Sequence, residues 1–431
     1  MPLGLIVLAP IRPGEEASLR DVLRPIGDDI KGRRLPGASA RPHIDFTRSR
    51  RIHFARLAIL DDPDRGPDRK RLLYASAYDG DLDGHLAELV AITSGMDEIW
   101  GYCEAYEGVA RFGAFIRARV HEPEAFYIAF RNGTVERIQQ SIALRRQVEP
   151  LLDAAAASPL AATLPGLSTG DPVWAGVIRR AFSTAGRDIA SAIEVVIRAL
   201  PILVDLPRAI VRCGFTNVSR GTLRIIASLD RYAVFRSVNW ITRNHLPPPK
   251  SMYSSVDLDN RDSNQVPAAF REDVVTQNQL TVVTAIGAGQ VDRVRAVLSA
   301  IDSYAKRLAP DGSLIGISTI HFVRWLVIDE GRRLMLVSDY DGSWEAYIDE
   351  FAELILSGLE AIWESSDGFP PGGARDVPAF KQFLRSHQVP SEIFFSAYPE
   401  ETVLNIVNDS AFARACTDVA AGRVGDLLRQ L

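Results

Sequence analysis

The sequence predicts an α+β protein built from two copies of one β-α-β-β-α-β unit, with a mostly helical insertion between them. Three observations carry this. Ile52-His53-Phe54-Ala55-Arg56 recurs as Ile320-His321-Phe322-Val323-Arg324, Ser76-Ala77-Tyr78-Asp79-Gly80 as Ser338-Asp339-Tyr340-Asp341-Gly342, and Ile99-Trp100 as Ile362-Trp363. Several blocks repeated in one order mark a duplication. Glu124 to Ile138 also aligns without a gap with Glu392 to Ile406, sharing Glu-x-Phe and Thr-Val-x-x-Ile. Finally, each copy passes from period-two to helical hydrophobic spacing and back, in the same order. The expected divisions are 1–138 for the first repeat, 139–279 for an Arg-rich helical insertion and linker, and 280–431 for the second repeat with a C-terminal tail.

Each copy opens with a short apolar run, Leu5 to Ile11 or Leu280 to Ile286, closed by a glycine-containing turn. Leu19, Val22, Leu23 and Ile26 then fall at helical spacing. Ile52–Leu60 and Ile320–Ile328 are rich in β-branched and aromatic residues and end on acidic turn residues, which predicts strands. Leu72–Tyr78 and Leu334–Tyr340 read as their hairpin partners, closed by Asp-Gly. Leu82–Ile92 and Trp344–Leu356 read as second amphipathic helices, and Ala125–Phe130 and Ile393–Tyr398 as short last strands. The first residues, Met1 to Ala9, superficially resemble a signal peptide, but they lack a basic leader. Because the matching place in the second copy is internal, residues 3–11 are expected to be a core strand.

The apolar fraction of 47% and charged fraction of 24% are those of a globular chain, and a net charge of −5 gives no overall argument for nucleic acid. That charge is unevenly spread. Residues 173–250 hold eleven Arg and one Lys against Asp188, Glu194, Asp205 and Asp230, or 12 − 4 = +8, so the remainder carries −13. Cys103, Cys213 and Cys416 are too few and scattered for a disulfide framework or a zinc site, and suggest a reducing, cytoplasmic setting. Gly-x-Gly-x-x-Gly, Walker and His-Glu-x-x-His motifs are missing from the sequence, and the one Gly-x-Ser-x-Gly string, Gly166-Leu167-Ser168-Thr169-Gly170, falls in the Ala/Ser/Pro/Gly stretch that reads as a linker. Phosphate-handling and zinc-protease readings lose their usual support.

The order β-α-β-β-α-β is that of the ferredoxin-like unit, and two such units commonly bury their open sheet faces together as a barrel. In this the chain resembles the dimeric α+β barrel superfamily in a tandem, single-chain form, a group that includes dye-decolorising peroxidases, chlorite dismutases and small haem-free monooxygenases. Dye-decolorising peroxidases carry a Gly-x-x-Asp-Gly motif whose aspartate helps to split peroxide above a haem. The matching strings here end in Asp79-Gly80 and Asp341-Gly342 and begin with Ser76 and Ser338 where that family has Gly. The resemblance implies an oxidoreductase of peroxidase or oxygenase type with haem as cofactor. In it Asp341 and Arg324 would assist O–O cleavage, and His321, His387 or His245 would ligate iron.

Each candidate also has a structural reading. Asp followed by Gly at a strand end is what a turn or helix N-cap requires, and its presence in both copies favours that role. On a regular strand, residues three apart point to opposite faces, so one of each pair, His53/Arg56 and His321/Arg324, is expected inside and the other toward a helix layer. His387 precedes the last strand, and His245 lies before a Pro-Pro-Pro run at the end of the insertion. Arg375, in the loop Gly368 to Asp376, could meet an anionic group, and Asp376 is placed to cap a helix Val377–Arg385.

The insertion combines aliphatic residues with a polar face of Arg179, Arg180, Arg187, Arg198, Arg208 and Arg212. That is the pattern of an element drawn to an anionic membrane surface, or of a cap over a barrel mouth with its arginines solvated. Two function classes follow: an oxidoreductase acting on an apolar or lipid-like small molecule, and a non-enzymatic ligand-binding or peripheral membrane protein. A haem-free monooxygenase or lyase barrel is a third. The oligomeric state is left open by the sequence.

Overall fold

The computed structural model describes residues 1–30, 44–156 and 276–420. The first copy contributes β1 (Leu3–Pro10), α1 (Glu16–Ile30), β2 (Ile52–Asp61), β3 (Lys70–Tyr78), α2 (Leu82–Ile92), α3 (Met96–Trp100), α4 (Phe112–Arg117) and β4 (Ala125–Ile128), followed by α5 (Val135–Ala156). The second contributes β5 (Gln277–Ala285), α6 (Val291–Arg307), β6 (Ile320–Ile328), β7 (Arg333–Asp341), α7 (Trp344–Leu354), α8 (Leu356–Trp363), α9 (Val377–Ser386) and β8 (Ser391–Ser396), followed by α10 (Val403–Ala420). Each stretch thus runs strand, helix, two strands, three helices and a short strand. The single helix expected over Trp344–Leu356 is broken at Ile355, whose φ of −135° leaves the helical region, and a second helix starts at once. Asp376 caps α9 as expected, accepting from the Ala379 N–H at 3.2 Å.

The strands form two four-stranded antiparallel sheets, β1-β3-β2-β8 and β4-β6-β7-β5. The fold is thus α+β. Neither copy keeps its own last strand: β8 of the second pairs with β2 of the first, and β4 of the first pairs with β6 of the second. The chain leading into each exchanged strand first runs along the opening strand of its own copy. Val120 bridges to Val7, with His121 N–H donating to Ile6 at 2.9 Å, and Gln388 bridges to Val282, with Val389 N–H donating to Thr281 at 2.8 Å.

Each sheet has a helix-covered face. In the first, Leu5, Val7, Leu57, Leu72 and Tyr74 pack with Leu19 and Leu23 of α1, Leu86 of α2 and Trp100 of α3. The opposite faces share one aliphatic cluster, in which Ile6, Leu8, Leu60 and Leu73 meet Leu326, Ile328, Met335 and Val337. By contact Met1–Val135 and the described residues from 276 to Val403 belong to one compact unit, while the described residues 136–156 and 404–420 fall in a second. No helix among the described residues is long and apolar enough to cross a membrane. The Arg-rich segment 173–250 and His245 lie outside the described residues.

Candidate functional site

The repeated Ser-x-Tyr-Asp-Gly string is a local device with three outputs. Its serine and tyrosine point to the helix layer: Ser76 Oγ lies 3.0 Å from His85 Nε2 on α2, and Tyr78 stacks on the same imidazole at 4.1 Å. The second copy uses Tyr347 of α7 instead, with Ser338 Oγ 2.6 Å from its hydroxyl and Tyr340 stacked on it at 3.9 Å. The serine of each string thus holds a helix. The glycine after the aspartate has φ of 86° at Gly80 and 80° at Gly342, a left-handed conformation that side chains resist.

The aspartate turns the other way. Asp341 Oδ1 meets His321 Nε2 at 2.7 Å, and its Oδ2 accepts from the Val403 N–H at 2.7 Å, capping α10. Asp79 Oδ1 lies 3.1 Å from His53 Nε2 outside hydrogen-bond alignment, and its Oδ2 accepts from the Val135 N–H at 2.7 Å, capping α5. Both imidazoles are fully buried. A capping role and an approach to a buried histidine therefore coincide in one carboxylate, twice.

His53 and Arg56 do not point to opposite faces, and neither do His321 and Arg324; that expectation is corrected. A register shift falls between Ile52 and Phe54 and again between Ile320 and Phe322. An extra residue in one strand offsets the alternation by one, which turns both members of each pair to the same side. His53 consequently packs at 5.4 Å from Phe322 of the other sheet, and Phe54 at 5.1 Å from His321. Arg56 crosses between sheets, donating to Gln279 Oε1 at 3.0 Å, the Leu280 carbonyl at 3.0 Å and the Ser338 carbonyl at 2.7 Å, and pairing with Asp339.

Arg324 has no such carboxylate opposite, because Ala77 stands where the other copy has Asp339. It donates to the Ser76 carbonyl at 3.0 Å and lies over the Phe126 ring at 4.7 Å. Burial pushes its guanidinium down to about 10, with Asp339 opposing the shift and Arg56 adding to it. Its Nε sits against Gly4, where any side chain would come within 2.6 Å.

Sequence reasoning overlooked Tyr398. Its hydroxyl lies 2.8 Å from His53 Nδ1, whereas the aligned residue of the first copy, Phe130, faces His321 with ring centroids 5.8 Å apart. His321 Nδ1 has no hydrogen-bond partner. The signal was present, since the two positions are matched in the ungapped block.

The remaining candidates are elsewhere. His387 Nδ1 lies 2.8 Å from the Phe383 carbonyl at the end of α9, and its ring packs on Phe383 at 4.7 Å. Arg375 is exposed, 3.6 Å from Glu360, and lines a surface cavity of about 320 Å³ with Asp349, Glu353 and Leu356. The structure brings together Asp341 and His321 with Arg324 on the same side, but not His387 or Arg375.

His321 does not fit a haem ligand. Its Nε2 is taken by Asp341, and the rings of Phe54, Phe130 and Tyr398 stand 5.1 to 6.2 Å from its own. A macrocycle would have to displace them. Among the described residues no group of three or more His, Cys, Asp or Glu is arranged to hold a metal ion. Comparison with protein-family models, with curated proteins and with solved structures finds no match.

Proposed function

We propose that the two repeats close as an intramolecular α+β barrel that serves as a scaffold, and that the protein is a peripheral, non-enzymatic binding protein docking on anionic lipid through residues 173–250. The strand exchange and the segments running from one sheet to the other support the barrel. The observation that carries the functional reading is the filled space between the sheets. Its polar residues, Arg56 and Asp339 among them, bond to each other and to backbone, and its histidines are fully buried, so substrate has no route to them. Recognition then falls to the surface, where the sequence separates +8 on residues 173–250 from −13 on the rest. Basic residues near an anionic bilayer attract it, and salt screens the attraction.

Flotation with phosphatidylserine-containing and phosphatidylcholine-only vesicles tests this. The full chain should float with the anionic vesicles, less so in high salt, and a chain lacking 173–250 should stay behind. No flotation of the full chain, or flotation indifferent to the deletion, overturns the proposal.

One observation favours the oxidoreductase as a second reading. A carbonyl only accepts, so the His387 Nδ1 beside the Phe383 carbonyl must be its N–H, which leaves Nε2 with the lone pair. That is the form in which imidazole ligates iron, held by a second partner. Haem iron would supply peroxide or oxygen activation there, on an apolar substrate. A Soret band after haem titration that shifts in His387→Ala supports this reading, and no band after titration removes it.

A further inference from the structure

The two His–Asp arrangements differ at one position, and that difference singles out Tyr398. In the first, a phenol hydroxyl approaches the imidazole Nδ1 at 2.8 Å while a carboxylate stands 3.1 Å from Nε2. In the second, the fold accepts a phenylalanine at the matching place and leaves Nδ1 without a partner. Packing therefore needs the ring at this position and not its hydroxyl. The Asp79 carboxylate, 3.1 Å from Nε2 though out of hydrogen-bond alignment, attracts the His53 proton to that nitrogen by its charge, which frees Nδ1 to accept from the Tyr398 hydroxyl.

We propose that Tyr398 is a redox-active tyrosine: an outer-sphere one-electron oxidant, such as a trivalent metal complex, takes one electron from the phenol as its hydroxyl proton passes to His53 Nδ1. The oxidant is reduced by one electron, the O–H bond breaks, an N–H bond forms, and a neutral phenoxyl radical is left beside an imidazolium. Moving the proton with the electron matters here because a bare phenol cation in a buried site would be strongly disfavoured. The imidazolium, by contrast, faces the Asp79 carboxylate. Burial pushes the Tyr398 phenol well above its ordinary value, with Asp79, Asp339 and Asp341 adding to the effect, so the proton cannot simply be lost to solvent first. Phe54 at 5.6 Å and Phe130 at 6.1 Å shield the ring from water and small quenchers. A second tyrosine–histidine approach among the described residues, Tyr74 to His85 at 3.3 Å, lacks these features: that nitrogen is shared with Ser76, and the other nitrogen of His85 has no hydrogen-bond partner. This role is independent of membrane docking.

The full chain should be oxidised with flash-generated tris(bipyridyl)ruthenium(III) and followed by electron paramagnetic resonance and transient absorption. A long-lived phenoxyl signal is expected, absent from Tyr398→Phe, which the Phe130 copy shows to be compatible with the fold. His53→Gln should slow its formation about a hundredfold, the scale of losing a positioned proton acceptor. Formation in the unaltered chain should also slow in deuterium oxide. Phe130→Tyr, which sets a phenol before His321, should add a second radical population. An unchanged signal in Tyr398→Phe overturns the proposal. So does equally fast oxidation in His53→Gln, and, should that variant fail to fold, so does the lack of a solvent isotope effect on the Tyr398-dependent signal.

Discussion

At the residue scale, the most informative side chains are those that are buried in one copy and altered in the other. His85 occupies the place of Tyr347 and shares its tasks, but it is ionisable, and burial pushes its imidazole down to about 3. In the unfolded chain that group takes up a proton near pH 6.5, while in the folded protein it stays neutral until far lower pH. Stability from His85 is therefore present above the unfolded value and is lost as pH falls toward the folded one. Its slope there is about 1.4 kcal/mol per pH unit. Urea titrations between pH 7 and 4 should show His85→Gln with a shallower decline than the unaltered chain, and parallel curves would refute the assignment. The complementary repair is Phe130→Tyr, which should stabilise by about 1 kcal/mol by giving His321 Nδ1 a donor. A melting temperature below that of the unaltered protein would count against it. The roles of Tyr398 and His85 were not legible in the sequence, where Tyr398 shows only as a difference from Phe130 in the aligned block, and the reason is physical. An aromatic residue in a short apolar strand and a histidine on an apolar helix face both read as packing, and only the partner across the fold distinguishes them.

At the element scale, the strands and helices were legible because their periods differ, and the positions of β2, β6 and α2 follow directly from the hydrophobic pattern. What the pattern hides is register. The irregularities at His53 and His321 are events between strands and leave no trace in composition, yet they decide that His and Arg share one face. The same limit applies to Asp79 and Asp341, whose strand-end position suggested caps without showing that the capped helices, α5 and α10, begin 56 and 62 residues later. Replacing either aspartate by alanine removes a cap and the carboxylate that faces a buried histidine. Each should cost about 2–4 kcal/mol, with the two values alike. Denaturant midpoints measure this, and a large cost in one copy with none in the other would contradict the shared role. Gly27 of α1 tests how close a helix lies to the exchanged strand β8. Its Cα faces the Glu392 carbonyl so closely that a methyl group would run into it. Gly27→Ala should therefore lose about 1–3 kcal/mol in the same measurement through forced separation of helix and strand, although alanine is the better helix former.

At the scale of the whole molecule, duplication and strand exchange make each repeat incomplete without the other. The duplication was legible because the blocks are similar enough to align. The exchange was not, since an apolar strand carries no record of the partner that will cover its edge. Residues 1–138 alone would hold β1, β2, β3 and β4 but lack β8 on the open edge of β2. They would also lack the Leu326, Ile328, Met335 and Val337 side of the shared cluster and leave Arg56 without Asp339. Residues 276–431 alone would expose β6 in the same way and leave His321 without Phe54 and Phe130 packed around it. An unpaired strand edge together with an uncovered apolar face and an uncompensated buried charge is a costly combination. The two halves produced separately should accordingly be poorly folded or self-associated by circular dichroism and size-exclusion chromatography. Refolded together as unlinked chains, they should form a one-to-one complex with more secondary structure than the two halves show apart. The mixture should lose that complex when Arg56→Ala is introduced in one half and Asp339 is retained in the other, because the carboxylate is then buried without its partner. Two halves that each fold as stable monomers would show that the exchanged strands are dispensable, and with them the shared interior on which both buried His–Asp arrangements rest.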